Sequence, residues 1–193
     1  MKTTSEGKLV GEWPIREERV FFGLVRCRKV GRIVILWEWR RDENQRTFFV
    51  LGPYYHFLLA TLLVIIAITV MVYGVVIPKE PAFFLERVCG VTLSVLAIAS
   101  LLCTALSDPG IFPRYAKPLA DDWTYSEYAE SYRPPGTIYC QQCQVLVEDY
   151  NHFCPWSGIV IGKGNEHYFR IFIVALSLKL IYDATLIILA LLH

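Results

Sequence analysis

The sequence from Phe57 to Ile77 reads FLLATLLVIIAITVMVYGVVI and contains no charged residue. An α-helix rises 1.5 Å per residue, so a helix over this segment is about 31 Å long, close to the roughly 30 Å hydrocarbon layer of a bilayer. The chain as a whole has a mean hydropathy of +0.39 and a hydrophobic content of 54%, which is too apolar for an ordinary soluble domain and favours a bilayer as its solvent. The segment therefore predicts an integral, multi-pass membrane protein in contact with a lipid bilayer.

Two further segments are long and apolar enough to span a membrane. Val88 to Leu106 carries no charge, and the connector Pro78-Lys79-Glu80-Pro81 is so short that the first two helices must form an antiparallel hairpin. The third segment, Ile171 to Leu192, is apolar apart from Lys179 and Asp183. We therefore predict an all-α membrane protein with three transmembrane helices, at residues 57–77, 88–106 and 170–193.

The remaining residues fall into two extramembrane regions. In region 1–50, β-branched and aromatic runs at Arg19 to Cys27 and Arg32 to Trp39 bracket a short turn and predict a β-hairpin. The alternative is an interfacial segment that holds Trp37 and Trp39 at headgroup depth. A helical hairpin occupies 51–107, and a cysteine-rich loop domain is predicted at 108–169, between the second and third helices.

Charge excludes some functions and orients the chain. A net charge of +1 without a long basic stripe excludes nucleic-acid binding. No cleavable signal peptide is visible, and cysteines inside apolar runs make a secreted disulfide scaffold a poor fit. Lys and Arg residues concentrate before the first helix and at both ends of the loop, which places the amino terminus and the loop on the cytosol or matrix side. They are Arg40, Arg41, Arg46, Arg114, Lys117, Lys163 and Arg170.

A cysteine- and histidine-containing string lies inside the loop. Cys140-Gln141-Gln142-Cys143 is followed by Asn151-His152-Phe153-Cys154-Pro155-Trp156 and then by Gly162-Lys163-Gly164-Asn165. This string resembles the cysteine-rich domain of the DHHC protein S-acyltransferases, or palmitoyltransferases. The tripeptide Asp108-Pro109-Gly110 resembles the Asp-Pro-Gly motif that this family carries after its second span.

The resemblance implies roles for three residues. Cys154 would be the nucleophile that accepts an acyl group from acyl-CoA, His152 its base, and Asn151 would stand where the family has the aspartate that orients the base. An Asp-to-Asn change at such a position costs about 10⁴ in turnover in a serine protease. A thiol depends less on its base than a hydroxyl does, because a few per cent of it is already thiolate at neutral pH. The resemblance therefore implies impaired but conceivable chemistry at Cys154.

The zinc ligands of the family are also incomplete. Phe153 stands where the family has a ligating histidine, and Val160 where it has a cysteine. Cys140 and Cys143 remain as residual ligands, whereas a structural zinc site needs four. We therefore predict no cofactor and an empty metal site, with a small apolar core in place of metal bonds. A single incomplete zinc site is the alternative left open.

The family carries a fourth span after the third, and this chain stops at His193. Together with the lost aspartate and zinc ligands, this favours a catalytically impaired pseudoenzyme that acts as a scaffold or accessory subunit beside other membrane-protein subunits. The alternative is an active S-palmitoyltransferase that uses Cys154 and acyl-CoA. A third hypothesis is an adaptor whose loop binds a client through aromatic residues, namely Trp123, Tyr125, Tyr128, Tyr132 and Tyr139.

Lys179 and Asp183 are the two charges inside the third span. A charge at such depth costs about 2.5 to 3.5 kcal/mol on an insertion scale, so each one needs compensation. Their spacing of four residues puts them on one helix face, where they can pair with each other. The alternative is that this face meets polar groups of another membrane subunit.

Overall fold

The computed structural model describes residues 9–11, 13–20, 25–42, 45–76 and 84–192. Three helices in these ranges are long and apolar enough to cross a membrane. α1 spans Tyr55–Met71 and continues as one π-helical turn, Val72–Val76; α2 spans Phe84–Leu106; and α3 spans Glu166–Leu192. The predicted spans are therefore present, each beginning a few residues earlier than predicted, while the connector 78–81 lies outside the described residues.

The prediction of an all-α chain is wrong, because the described residues also form four β-sheets. One antiparallel sheet has the order β2-β3-β4-β5, and a second has the order β1-β6-β8-β7. Two hairpins, β9/β10 and β11/β12, form the others. The strands are β1 Leu9–Gly11, β2 Ile15–Val20, β3 Val25–Val30, β4 Ile33–Asp42, β5 Gln45–Leu51, β6 Arg114–Tyr115, β7 Thr124–Ser126, β8 Ser131–Arg133, β9 Ile138–Cys140, β10 Val145–Val147, β11 His152–Cys154 and β12 Ile159–Ile161.

A hairpin of β3 and β4 lies in the region predicted to form one, but its bounds differ: of the predicted first strand, Arg19 and Val20 belong to β2, only Val25 to Cys27 belong to β3, and residues 21–24 lie outside the described residues. The hairpin is the middle of a larger sheet. β5 was not predicted because it runs almost directly into α1, so its apolar residues look like the approach to a membrane span. The strands of the loop domain contain two or three residues each. Such short strands have no measurable alternation, so the sequence pattern cannot reveal them.

The N-terminal sheet β2-β3-β4-β5 lies between two apolar cores. Val50 of β5 packs with Ile33, Ile35 and residues of the cysteine-rich domain in one cluster. Its neighbour Leu51 packs against a different cluster, formed by residues of all three helices. Because successive residues of a strand point to opposite faces, one face of the sheet meets the cysteine-rich domain and the other meets the helix ends. The sheet therefore joins the two halves of the molecule.

Small residues allow the helices to approach one another. The buried face of α2 consists mainly of Gly, Ser, Ala and Thr, which is typical of close helix packing in membranes. These residues are Gly90, Ser94, Ala97, Ser100, Leu101, Thr104 and Ala105. At Gly90 the fit is so close that an added Cβ would overlap the phenol of Tyr73. Tyr73 of α1 therefore occupies the space that the missing side chain leaves.

Candidate functional site

Two β-hairpins position the predicted site residues. β9/β10 carries Cys140 and Cys143 at its turn, and β11/β12 carries His152 and Cys154 on one strand. The turn of the second hairpin contacts the start of α1, where the Tyr54 amide donates a hydrogen bond to the Gly158 carbonyl at 3.3 Å. Gly158 adopts a φ of 70°, a conformation that favours glycine, and an added Cβ would lie 2.5 Å from the Tyr54 oxygen. The site is therefore held against the membrane end of α1.

His152 and Cys154 are two residues apart on β11 and point to the same face. Their Cα atoms are about 7 Å apart in an extended strand. Within the described part of the chain, however, the Cys154 thiol makes no hydrogen bond, and the residue is only 2% exposed. A nucleophile must meet its substrate, so burial of Cys154 is an obstacle to acyl transfer in this conformation.

A chain of polar contacts runs from His152 to the start of α3. His152 Nδ1 lies 3.2 Å from Asn151 Oδ1, and the Asn151 amide donates to Glu166 Oε1 at 3.4 Å. Glu166 in turn forms a salt bridge with Arg170 at 2.7 Å. Because an amide oxygen can only accept, Nδ1 must carry the proton and Nε2 is left free to act as a base. The ring also packs edge-on against Phe169, with centroids 5.2 Å apart.

Asn151 therefore keeps one function of an orienting carboxylate and loses the other. It fixes the tautomer of His152, but as a neutral group it would not stabilise an imidazolium if His152 accepted a proton from a thiol. Glu166, the carboxylate that Asn151 contacts, forms a salt bridge with Arg170, which balances its negative charge. The hydrogen bond from Arg170 lowers the pKa of Glu166. The site has the geometry of a base and orienter pair without its charge.

Cys140 and Cys143 form a buried pair of thiols. Both are almost fully buried, and the Cys143 amide donates to Cys140 Sγ at 3.3 Å. The hydrogen bond from the Cys143 thiol lowers the pKa of Cys140, while that interaction and burial raise the pKa of Cys143. Thiolate is the form that binds zinc, so metal binding here would require both thiols to lose their protons inside an apolar cluster.

The surroundings of this pair do not fit a structural zinc ion. Among the described residues, no group of three or more His, Cys, Asp or Glu side chains is arranged to hold a metal. Val160, at a position where the family has a cysteine ligand, is completely buried and belongs to the same apolar cluster as Cys140 and Cys143. Phe153 packs against that cluster and meets Tyr54 edge-on at 5.3 Å. The two substituted ligand positions therefore contribute packing.

The N-terminal sheet covers the cysteine pair. The turn between β3 and β4 lies on the Cys140–Cys143 turn, and the Arg32 amide donates to the Cys143 carbonyl at 2.8 Å. Gly31 adopts a φ of 57°, and an added Cβ would lie 2.4 Å from that carbonyl oxygen. This contact was not predicted, because no local pattern links residues more than 100 positions apart.

Two motif residues act as positioning groups. Asp108 accepts hydrogen bonds from the amides of Gly110 and Ile111 at 2.8 and 3.0 Å, which closes the turn after α2. Asn165 is fully buried before the first residue of α3; it donates to the carbonyls of Thr104 and Val160 and accepts from the Gly162 amide. Asn165 is part of the sequence motif, but no role was predicted for it, although asparagine is a preferred residue directly before a helix. It ties α2, α3 and β12 together.

The charges of the third span are compensated inside the chain. Lys179 and Asp183 are 1% and 3% exposed and form an ion pair with each other. The Tyr73 hydroxyl donates a hydrogen bond to Asp183, and Lys179 Nζ lies 5.7 Å from the centre of the Tyr73 ring. Of the two alternatives, the structure has the internal pair, so these charges provide no evidence for a contact with another subunit.

The aromatic residues of the loop are partly used within the domain. Tyr128 stacks on Tyr139 and Tyr125 meets Tyr132 edge-on, while Trp123 packs against Phe112 and Tyr115. Tyr125 and Tyr128 are nevertheless exposed. All five residues named for a client-binding loop therefore have aromatic contacts within the domain.

Comparison with known proteins relates the site to a family. Residues 120–193 match the family described as DHHC palmitoyltransferase. The chain is 33% identical over 120 residues to palmitoyltransferase ZDHHC18-A of Danio rerio, covering 47% of this chain and 26% of the relative. It is 30% identical over 126 residues to palmitoyltransferase ZDHHC9 of Homo sapiens, covering 47% and 34% respectively.

The chain thus spans about a third or less of the length of these curated relatives. The matched region contains the β9/β10 turn, the strand with His152 and Cys154, and the whole of α3. Residues 120–193 of this chain, which include the candidate site, are therefore similar to the DHHC palmitoyltransferase family.

Proposed function

We propose that this protein is a catalytically impaired S-acyltransferase-like membrane protein that serves as a scaffold or accessory subunit of a membrane complex. The observation that carries the proposal is the apolar core at the predicted metal and acyl-transfer site, where Cys140, Cys143 and Val160 are buried together. Cys154 is also buried, and its base lacks a charged orienter. The apolar core, the burial of Cys154 and the neutral residue beside His152 each weaken acyl transfer, and none of them prevents the domain from folding.

The apolar core supplies the stability that metal bonds would otherwise provide. A domain of short strands depends on zinc when it cannot bury enough apolar surface. Here the N-terminal sheet adds Val30, Ile33, Ile35 and Val50 to the core of the cysteine-rich domain. Burial of one such aliphatic side chain is worth about 1.5 to 3 kcal/mol. Loss of zinc ligands is therefore tolerated in this chain without loss of the domain.

The alternative function is an active protein-cysteine S-palmitoyltransferase that uses Cys154 and acyl-CoA. One observation favours it: the hydrogen bond between His152 Nδ1 and Asn151 Oδ1 retains a base-competent tautomer. Activity would then require a conformation that exposes the Cys154 thiol. Acyl-enzyme formation at Cys154 separates the two functions.

We expect purified full-length protein incubated with palmitoyl-CoA to form no hydroxylamine-sensitive thioester at Cys154. The measurement is intact-protein mass spectrometry, with Cys154→Ser as the control for the five other cysteines. A thioester that forms on the natural chain and is lost in Cys154→Ser would show that the alternative is correct.

A second variant tests the cause of the impairment. Asn151→Asp alone would place two carboxylates about 3.4 Å apart, which disfavours ionisation of both. Asn151→Asp is therefore combined with Glu166→Gln, which supplies one negative charge next to His152. An active enzyme should gain about 10- to 100-fold in acylation rate, whereas a chain limited by burial of Cys154 should show no gain.

We expect zinc in the purified protein to be well below one ion per chain. The reason is that Cys140 and Cys143 have no third ligand among the described residues and lie with Val160 in an apolar cluster. Elemental analysis after purification without chelator measures this, with Cys140→Ser/Cys143→Ser as the matched control. Zinc near two ions per chain that falls in the control would contradict the proposed apolar core.

A further inference from the structure

The face of the N-terminal sheet that carries Leu51 also carries two exposed aromatic residues. Trp37 of β4 is directly opposite Phe49 of β5, and the two side chains are 68% and 47% exposed. Directly paired residues of an antiparallel sheet lie on the same face. Phe49 and Leu51 also share a face, since they are two residues apart on β5. Trp37, Phe49 and Leu51 therefore belong to one surface.

This surface adjoins the ends of the helices. Leu51 packs against the helix cluster that contains Leu58, Leu101 and Phe172. Phe49 forms a β-bridge with Ser107, the residue directly after the last residue of α2. The first candidate span begins at Tyr55, six residues after Phe49. Phe49 therefore lies at the level where two helices leave the hydrocarbon layer.

The cysteine-rich domain reaches the same depth on α1. The Thr61 hydroxyl donates a hydrogen bond to the Trp156 carbonyl at 3.1 Å, and Trp156 is 67% exposed. Thr61 lies about 9 Å along α1 from Tyr55. The turn that carries Trp156 is thus beside the first two turns of a candidate membrane span. The cysteine-rich domain therefore lies directly next to the end of that span.

We propose that the Trp37–Phe49 surface of the N-terminal sheet lies in the headgroup and upper acyl region of the leaflet that α1 and α2 enter. Tryptophan and phenylalanine are suited to this layer, because an aromatic ring is apolar and the indole N–H can bond to headgroups. A bilayer that surrounds the candidate spans would also reach this face, because Phe49 is bridged to the residue after α2 and lies six residues before α1. The sheet is then a spacer that fixes the height of His152 and Cys154 above the membrane, and this role is independent of whether Cys154 is acylated.

The test uses full-length protein in which the five tryptophans are labelled with 5-fluorotryptophan, in phosphatidylcholine nanodiscs. Trp37→Phe assigns the Trp37 fluorine resonance. We expect lipid labelled with a nitroxide near the headgroup to broaden this resonance several-fold, and a water-soluble gadolinium chelate to leave it sharp. Trp123, assigned by Trp123→Phe, is the control.

Trp123 is a suitable control because it lies on the far side of the cysteine-rich domain. It packs in a cluster with Leu146 of β10, whereas Val145 and Val147 of the same strand face the N-terminal sheet. The nitroxide lipid should therefore spare Trp123. Broadening of Trp37 by gadolinium but not by nitroxide lipid would overturn the proposal. Protection of Trp37 from both reagents would also overturn it, since protein rather than lipid would then cover this face.

Discussion

Changing Lys179 to leucine alone is expected to lower the free energy of unfolding by about 3 to 5 kcal/mol. The change leaves the Asp183 carboxylate inside the helix bundle, where it is 3% exposed and loses its cationic partner. A hydrogen bond from Tyr73 remains, but a neutral hydroxyl cannot balance the charge. Asp183→Leu should be destabilising for the same reason, because it leaves the Lys179 ammonium unpaired.

The double change Lys179→Leu/Asp183→Leu is the matched control. Replacing both members of a buried ion pair by apolar residues is often neutral or stabilising, because the cost of removing two charges from water disappears. Reversible unfolding of the purified protein in mixed micelles measures all three variants. If the single variants were as stable as the natural chain, the two charges would be solvated or paired elsewhere, and the internal pair would be wrong.

Changing Gly31 to valine is expected to lower the free energy of unfolding by about 3 kcal/mol or more. A φ of 57° costs a β-branched residue about 1 to 2 kcal/mol. The added Cβ would also lie 2.4 Å from the Cys143 carbonyl oxygen and 2.6 Å from that of Gln144, both of which are backbone atoms. The N-terminal sheet must then move away from the cysteine-rich domain and open their shared core.

Gly136→Val separates these two effects. Gly136 also has a positive φ, 80°, but an added Cβ there would meet only the carboxylate end of Asp149, at 3.3 Å. Gly136→Val therefore has the conformational cost of a positive φ, but it does not force two packed segments apart. Gly31→Val should be clearly less stable than Gly136→Val, with faster amide exchange at Arg32, which donates to Cys143. Equal stability of the two variants would mean that the sheet does not depend on this contact.

The sequence determined the membrane spans and the location of the candidate site. Uncharged runs such as 57–77 have one stable conformation in hydrocarbon, because a helix satisfies its own backbone hydrogen bonds. The motif placed Asn151, His152 and Cys154 within four residues, whereas the strand that carries His152 and Cys154 was too short to be recognised from the sequence. Phe153 and Val160 are at positions where the family has metal ligands, and their residue types alone show that they cannot bind a metal.

Only the tertiary structure decided what surrounds the cysteine pair and what compensates the charges. The partner of the Cys143 turn is Gly31, and no local pattern records a contact across such a separation. The same is true of Tyr73, which reaches Asp183 because Gly90 leaves room for its ring. Burial of Cys154 likewise depends on how the β11/β12 hairpin packs against the rest of the chain. Periodicity reports which face of an element is apolar, whereas the partner of that face is set by the packing of distant segments.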